Sequence, residues 1–488
     1  MEILAVAAFA ALTLVLIFVL SPGWLTLAAA GLAALWLCGH PHWGVFAILV
    51  IWSLEWEMPR IGPASITELL VVLLFVPLAF QILRERTVGV ARLPELKLLV
   101  AIGVVLVIAA GWSYAMLPHA PFGVDASYQL IRSYVTRVLF VVLFLSFVRT
   151  PGHVRQALAV LMLVLCVAAA DALWIMGTET IHRAHSRLIG IAENSNRLAY
   201  AVVFAAAVLW FLRTEGPPTR WRALMLPAVL VLVLTALLTA SRNGLLQVLL
   251  FGAWVIKEHR ALSGTRRVYA LLVVGALAAL LFVVVPSAQW LRATSFDTAL
   301  SSPGGQSTKS RLTTVQIALE LVREYPLFGI GPGNFESYHQ ARLGNELQTH
   351  NSYLWALTSG GPLLLLLYLL LFRRLYRRLA AFERSGPPRL GWLAKALRVN
   401  LVLFMAFSVF ADFWLSIFVY VFVGMAIALS RLWDPRTSSA WALSAPARWP
   451  GALRTPLQPV RGPLRPVRGP LGCVHAPLGC VHAPLGTN

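Results

Sequence analysis

Acidic residues are rare in this chain. Its 488 residues hold 20 Asp and Glu against 40 Lys and Arg, and only 12% of them are charged. So little charge excludes an ordinary soluble domain, in which about a quarter of the residues carry charge. Cysteine is sparse too. Cys38 and Cys166 lie in apolar runs, and Cys473 and Cys480 lie in the C-terminal segment. That distribution excludes a disulfide framework and offers no metal-ligand spacing. The first apolar run, Ile3 to Leu20, lacks a preceding basic stretch and a small-residue cleavage site. It is expected to be a retained first span and not a removable signal peptide.

What the chain has in abundance is apolar residues, at 59%. A bilayer span needs about 20 of them in succession. Spans are predicted near 3–20, 22–38, 43–56, 65–80, 97–112, 133–148, 156–176, 197–212, 222–240, 243–256, 268–285 and 351–372. The short runs 43–56 and 243–256 could also be tilted or re-entrant pieces buried in protein. A last run, 399–430, is too long for one span and carries Asp412 near its middle. It reads as a tight hairpin of two short helices. The predicted fold class is therefore an all-α polytopic membrane protein of about 12–14 transmembrane helices.

The net charge of +20 would suit a nucleic-acid partner. Here the charge sits in short loops between spans, so no nucleic acid is expected. The segments 81–97, 149–155, 213–222, 257–267 and 373–398 carry 4, 2, 3, 4 and 8 Lys and Arg and fall on one side of the alternation. The positive-inside rule makes that side cytoplasmic, with both termini. The loops 54–64, 113–132, 177–196 and 286–350 then face outside. They still hold Arg132, Arg183, Arg187, Arg292, Lys309, Arg311, Arg323 and Arg342. Basic residues on that side invite a functional reading. The plain alternative is ordinary surface charge, because the rule is weak for long loops.

Four regions follow: an N-terminal helix bundle (1–285), a large outer loop (286–350), C-terminal membrane helices (351–431) and a tail (432–488). The tail repeats Pro-Val-Arg-Gly-Pro-Leu at 459–464 and 466–471, then Gly-Cys-Val-His-Ala-Pro-Leu at 472–478 and 479–485. Such Pro-rich repeats cannot bury a core, and disorder is expected. His475 and His482 each follow a Cys by two residues, yet duplication of a short coding segment explains them more simply than metal binding. Deleting 440–488 is expected to change little.

The outer loop carries the chemistry. Residues 301–310 are rich in Ser and Gly and predict a flexible or tightly turning stretch. From Arg311 to Glu324 the apolar positions Leu312, Val315, Ile317, Leu319 and Val322 predict a helix, ended by Pro326. Gly329, Gly331, Pro332 and Gly333 form a close turn that could present backbone N–H groups to an anion. No strand precedes it and no Gly-Lys-Ser/Thr follows, which excludes a P-loop or dinucleotide fingerprint. His350, Asn351 and Tyr353 stand at the mouth of the next span. His350 reads equally as a general base or anchor and as an interfacial helix cap. Ser241-Arg242-Asn243-Gly244 separates two apolar runs, and an Arg there is costly unless it snorkels, pairs or meets an anion. Glu193-Asn194-Ser195-Asn196-Arg197 enters another span on the same face.

Together these residues resemble the O-antigen ligase and Wzy-type polysaccharide polymerase superfamily. The resemblance rests on Leu-Thr-Ala-Ser-Arg-Asn-Gly at 238–244, Ser310-Arg311, the run from Tyr325 to Phe335, His350 to Leu354, and Gly360-Gly361, with the Asn194–Asn196 region as a further feature. It spans roughly 190–372. It implies a bacterial inner-membrane enzyme whose large loop is periplasmic. The donor would be a glycan on undecaprenyl diphosphate, and the acceptor a lipid A core, a second lipid-linked glycan or, in related branches, a protein. It implies inversion at the anomeric carbon, with no nucleotide sugar, no cofactor and no required metal. Asp297 and Glu320 have no acidic partner at ligand spacing, in keeping with that. A chain-length regulator is admitted as a further partner.

On this resemblance Arg242 and Arg311 would bind and stabilise the departing diphosphate. His350 would take the proton from the acceptor hydroxyl or position it. The turn holding Gly331, Gly333 and Asn334 would shape the loop over the site. Asn196, Arg197, Asn351 and Tyr353 are further substrate-binding candidates, and Arg187 or Arg197 could share the diphosphate role. Two other classes remain. A lipid-linked glycan flippase would also need many spans and Arg-lined patches, but transporters often show repeated halves, and none is seen. An inactive scaffold would not need Arg242, Arg311 and His350. A protein-directed oligosaccharyltransferase is disfavoured because no further folded soluble domain is apparent.

Overall fold

A computed structural model describes residues 36–53, 65–85, 93–116, 124–178, 194–259 and 305–431. The predicted spans 3–20 and 268–285, most of 22–38, and the tail 432–488 lie outside the described residues. Within them the chain is all helical. The order is α1 (Pro41–Ser53), α2 (Ile66–Glu85), α3 (Pro94–Met116), α4 (Val124–Phe147), α5 (Pro151–Thr178), α6 (Ser195–Thr214), α7 (Arg222–Leu238), α8 (Arg242–His259), α9 (Gly305–Glu324), α10 (Asn334–Leu343), α11 (Ser352–Ser385), α12 (Pro388–Phe407) and α13 (Ile417–Arg431).

Seven of these, α2 to α6 with α11 and α12, are long and apolar enough to cross a membrane. The chain is a multi-pass membrane protein. The shorter α1, α7 and α13 are apolar as well. α8 runs unbroken through the predicted 243–256. The run 399–430 does fold back on itself, with Asp412 in the turn between α12 and α13. α6 and α12 form the centre. In each, 72% of the membrane-length window is buried, against 22% in α2. Small residues on α6 permit that close packing. A Cβ on Gly244 would lie 2.8 Å from the Cβ of Ala199, so α8 can approach α6 only with glycine there.

Three expectations need correcting. The basic segment 373–398 is not a loop. α11 continues to Ser385 and α12 begins at Pro388. Its cations lie along helix sides, where carboxylates of other helices meet them. Glu95 is 1% exposed and takes Arg374 Nε at 2.9 Å and Arg378 Nη1 at 2.6 Å. Lys395 Nζ reaches Glu215 at 2.6 Å and Glu258 at 2.7 Å. Second, α9 starts at Gly305, so 305–310 is helical and Arg311 lies in its second turn. Ser and Thr are well tolerated in a first turn, and Thr308 is held by a tertiary hydrogen bond. Third, the loop contains a second helix, α10, bounded at both ends by left-handed glycines, Gly333 (φ 77°) and Gly344 (φ 76°).

α11 is two helices joined at a break. Gly361 has φ 70° and ψ −169°, and Pro362 follows. Proline has no N–H, so the carbonyl four residues back, that of Thr358, loses its helical donor. The Ile330 N–H donates to that carbonyl at 2.8 Å. The glycine turn therefore docks the outer loop on a carbonyl that the α11 break leaves free.

Candidate functional site

Three helices, α6, α8 and α11, begin at the same end of the bundle, and each has a polar cap. Asn194 Oδ1 accepts from the Asn196 and Arg197 N–H groups at 2.8 and 3.4 Å. Ser241 Oγ accepts from the Gly244 N–H at 3.1 Å. Asn351 Oδ1 accepts from the Tyr353 and Leu354 N–H groups at 2.9 and 3.0 Å. The caps satisfy part of the unpaired N–H set of each first turn. They also place three positive helix-dipole ends on one face. Ser241 ties two of these ends together, donating to Asn196 Oδ1 at 2.6 Å.

The cationic groups lie on this framework. Arg242 opens α8 and donates from Nη1 to Thr308 Oγ1 of α9 at 2.7 Å. One turn further along α9 stands Arg311. Burial and the neighbouring Arg242 both hold its guanidinium below the ordinary arginine range. Two cations brought this close favour an anion. Asn243 and Gln247 continue α8 inward. They are 2% and 1% exposed, and their amide groups lack hydrogen-bond partners among the described residues.

His350 adjoins this pair. Its φ of 51° lies in the left-handed region, uncommon for a residue with a Cβ. Strain of this kind persists only where the surroundings fix it. Asn351 does so by starting α11, and Thr349 does so by donating to the Asn351 carbonyl at 3.1 Å. The helix cap is thus Asn351, and His350 is not the capping residue. Burial, then Arg311, then His339 lower the His350 imidazole to about 4. It is neutral at physiological pH and able to accept a proton.

Arg311, Arg242, Asn196, His350 and Asn351 share this end of the bundle, with Arg197 close by. The Arg197 guanidinium carbon stands 5.8 Å from the Phe413 ring centroid. The other candidates are occupied differently. Tyr353 donates its hydroxyl to the Met405 carbonyl at 2.7 Å and so fastens α11 to α12. Asn334 donates to Ser113 Oγ at 3.0 Å and to the Ile330 carbonyl at 2.8 Å. A Cβ on Gly331 would lie 2.8 Å from that of Ser113, and one on Gly333 would lie 2.8 Å from the Ala126 carbonyl oxygen. These three residues seat the loop against α3 and α4. Arg187 lies outside the described residues.

Four residues of this end were not singled out as site residues from sequence. Glu336 and His339 lie on α10, which carries no strong apolar periodicity. Thr349 is buried and donates to Asp412 Oδ2 at 3.3 Å. Asp412 offered a signal, since a lone carboxylate inside a long apolar run is costly. Burial first, then Glu336, pushes its carboxyl up to about 7, opposed by hydrogen bonds from the Trp414 backbone and Thr349 and by Arg197.

Fold and site together define a polytopic membrane protein with a half-buried arginine pair beside a docked loop. Residues 227–369 match the Wzy_C family model, described as O-antigen ligase. The matched stretch is under a third of the chain. It contains Arg242, Arg311, the glycine turn, His350 and the α11 break, and it supports membership in that family. No curated protein matches the chain.

Proposed function

We propose that the protein transfers a glycan from a polyprenyl diphosphate carrier to an acceptor hydroxyl at one face of the membrane. The observation that carries this reading is the pairing of Arg242 and Arg311 beside a neutral, half-buried His350, inside the segment that matches the O-antigen ligase model. Arg242 and Arg311 bind the diphosphate, and charge that grows on it as the sugar leaves is stabilised without reorganisation. His350 accepts the proton of the acceptor hydroxyl as that oxygen bonds to the anomeric carbon. The diphosphate departs with the pair of electrons of the broken bond, and the anomeric carbon inverts. The site face is periplasmic and the basic α11–α12 end is cytoplasmic, in keeping with the charge bias.

The two steps are coupled through electrostatics. Arg311 is one cause of the low His350 value. A bound diphosphate offsets that charge, so His350 becomes a better base when the donor is in place. The test is transfer by the purified full-length chain in proteoliposomes from a radiolabelled undecaprenyl-diphosphate glycan. One reaction contains lipid A core and the other only more lipid-linked glycan. Label on lipid A core identifies a ligase, and a ladder of longer lipid-linked chains identifies a polymerase. Label that stays on the donor in both, with the donor moved across the bilayer, refutes transfer and favours a flippase.

A further inference from the structure

A second feature of the same end has the opposite character to the arginine pair. A cavity of about 240 Å³ lies between α4, α10, the segment before α11 and the α12–α13 turn. Gln129 and Gln348, both exposed, stand at its mouth. Trp355, 7% exposed, and Asp412 also line it. Glu336 and Ser133 complete the polar wall. Trp355 is held by stacking on Trp414 at 5.5 Å between ring centroids. Asp412 is held by Thr349, the residue before His350.

This lining selects a ligand by its chemistry. Among the described residues two carboxyl groups and no cation line the cavity, which disfavours phosphate. Carboxyl and amide groups on the wall accept and donate hydrogen bonds to hydroxyls. An indole offers a flat apolar surface for the C–H face of a ring. At about 30 Å³ per liquid water, the volume equals about eight waters. That is room for one sugar ring.

We infer that this cavity is a subsite for a single uncharged sugar ring, seated on Trp355 and hydrogen-bonded by Asp412 and Glu336. The inference rests on the glycan-transfer reading and deepens it. Thr349 lines the cavity and His350 is the next residue, so a sugar held here has its neighbouring hydroxyl or glycosidic carbon near the proton acceptor. Phosphate recognition and sugar recognition are thereby separated by the 348–350 segment: arginines for the one, carboxyls and an indole for the other.

The test uses the full-length chain in lipid nanodiscs and saturation-transfer NMR with two probes. One is the phosphate-free oligosaccharide cut from the donor, and the other is inorganic pyrophosphate. Ser133→Phe fills the cavity and is expected to weaken oligosaccharide binding roughly tenfold or more, a loss of about 1.4 kcal/mol, with pyrophosphate binding unchanged. Glu336→Gln keeps the shape, guards against misfolding as the cause, and is expected to weaken the oligosaccharide a few-fold. Equal oligosaccharide binding by wild type and both variants overturns the subsite. So does a wild type that transfers glycan and binds pyrophosphate but not the oligosaccharide, and in that case the transfer reading stands. A wild type that neither transfers glycan nor binds pyrophosphate overturns the transfer reading and this inference with it.

Discussion

The two ends of the helix bundle handle buried charge in opposite ways. At the α11–α12 end, cations meet carboxylates: Arg374 and Arg378 share Glu95, Lys395 bridges Glu215 and Glu258, and Arg398 holds Glu383 at 2.8 Å. At the other end, Arg311 has Arg242 as its charged neighbour, and His350 lies in the field of Arg311. The first arrangement is complete without a ligand and ties five helices together. The second leaves like charges close to one another, a cost that an anion would relieve. Net charge alone would not reveal this, because both ends are basic. The difference lies in where the few acidic residues are spent.

The largest effect expected from breaking this contrast is at His350. His350→Ala should lower transfer by about 10³-fold or more, within the upper range of a lost general base, with expression and membrane insertion intact. Normal transfer by that variant would leave His350 without a role in proton transfer or acceptor placement. The pH profile sharpens the same point. A base lowered to about 4 is active on the alkaline side, so kcat/KM for transfer should rise through about pH 4 and then level, while kcat should rise at a higher pH because bound diphosphate offsets Arg311. Arg311→Lys should cost roughly 10- to 100-fold, because one point charge replaces a planar fork that binds phosphate at two oxygens. Full activity in this variant would reduce the contact to simple charge or remove it.

Much of this was readable before any coordinates. Apolar runs located the spans because a bilayer sets their length, Arg242 stood out because an Arg between two apolar runs is costly, and Arg311 and His350 stood out through the family resemblance. What escaped was tertiary in origin. The cations of 373–398 meet partners distant in sequence, such as Glu95 for Arg374, 279 residues away, and Gly-Pro-Pro at 386–388 looked like the interior of a loop. The glycine turn suggested anion binding, yet Ile330 spends its N–H on the carbonyl that Pro362 orphans. His350 could not be ranked as helix cap or base until the α11 boundary put Asn351 at the cap. α10 was missed because its sequence has no apolar stripe and is held in place by glycine termini and loop docking.

The opposite end of the bundle supplies the control. Arg378→Ala should leave transfer unchanged and lower stability. Removing one partner of a buried pair costs about 3–5 kcal/mol. Arg374 remains on Glu95 and Arg378 is itself 25% exposed, so about 1–2 kcal/mol is expected here. Loss of transfer at unchanged stability would show that the two ends communicate.

The prediction that tests the contrast most directly concerns Asp412. Its carboxyl is raised from 3.8 to about 7, so between those values the folded state holds a proton that the unfolded chain has released. Stability of the wild type should therefore fall as pH rises from about 4 to about 7. Asp412→Asn cannot ionise and lacks that slope. Its melting temperature relative to wild type should climb by a few degrees between about pH 4.5 and pH 8, read by thermal unfolding in detergent. A relative melting temperature that falls with pH instead would mean that Arg197 stabilises the ionised carboxylate. Asp412 would then be the counterpart of Glu95, and charge at this end would also be paired internally and not held ready for substrate.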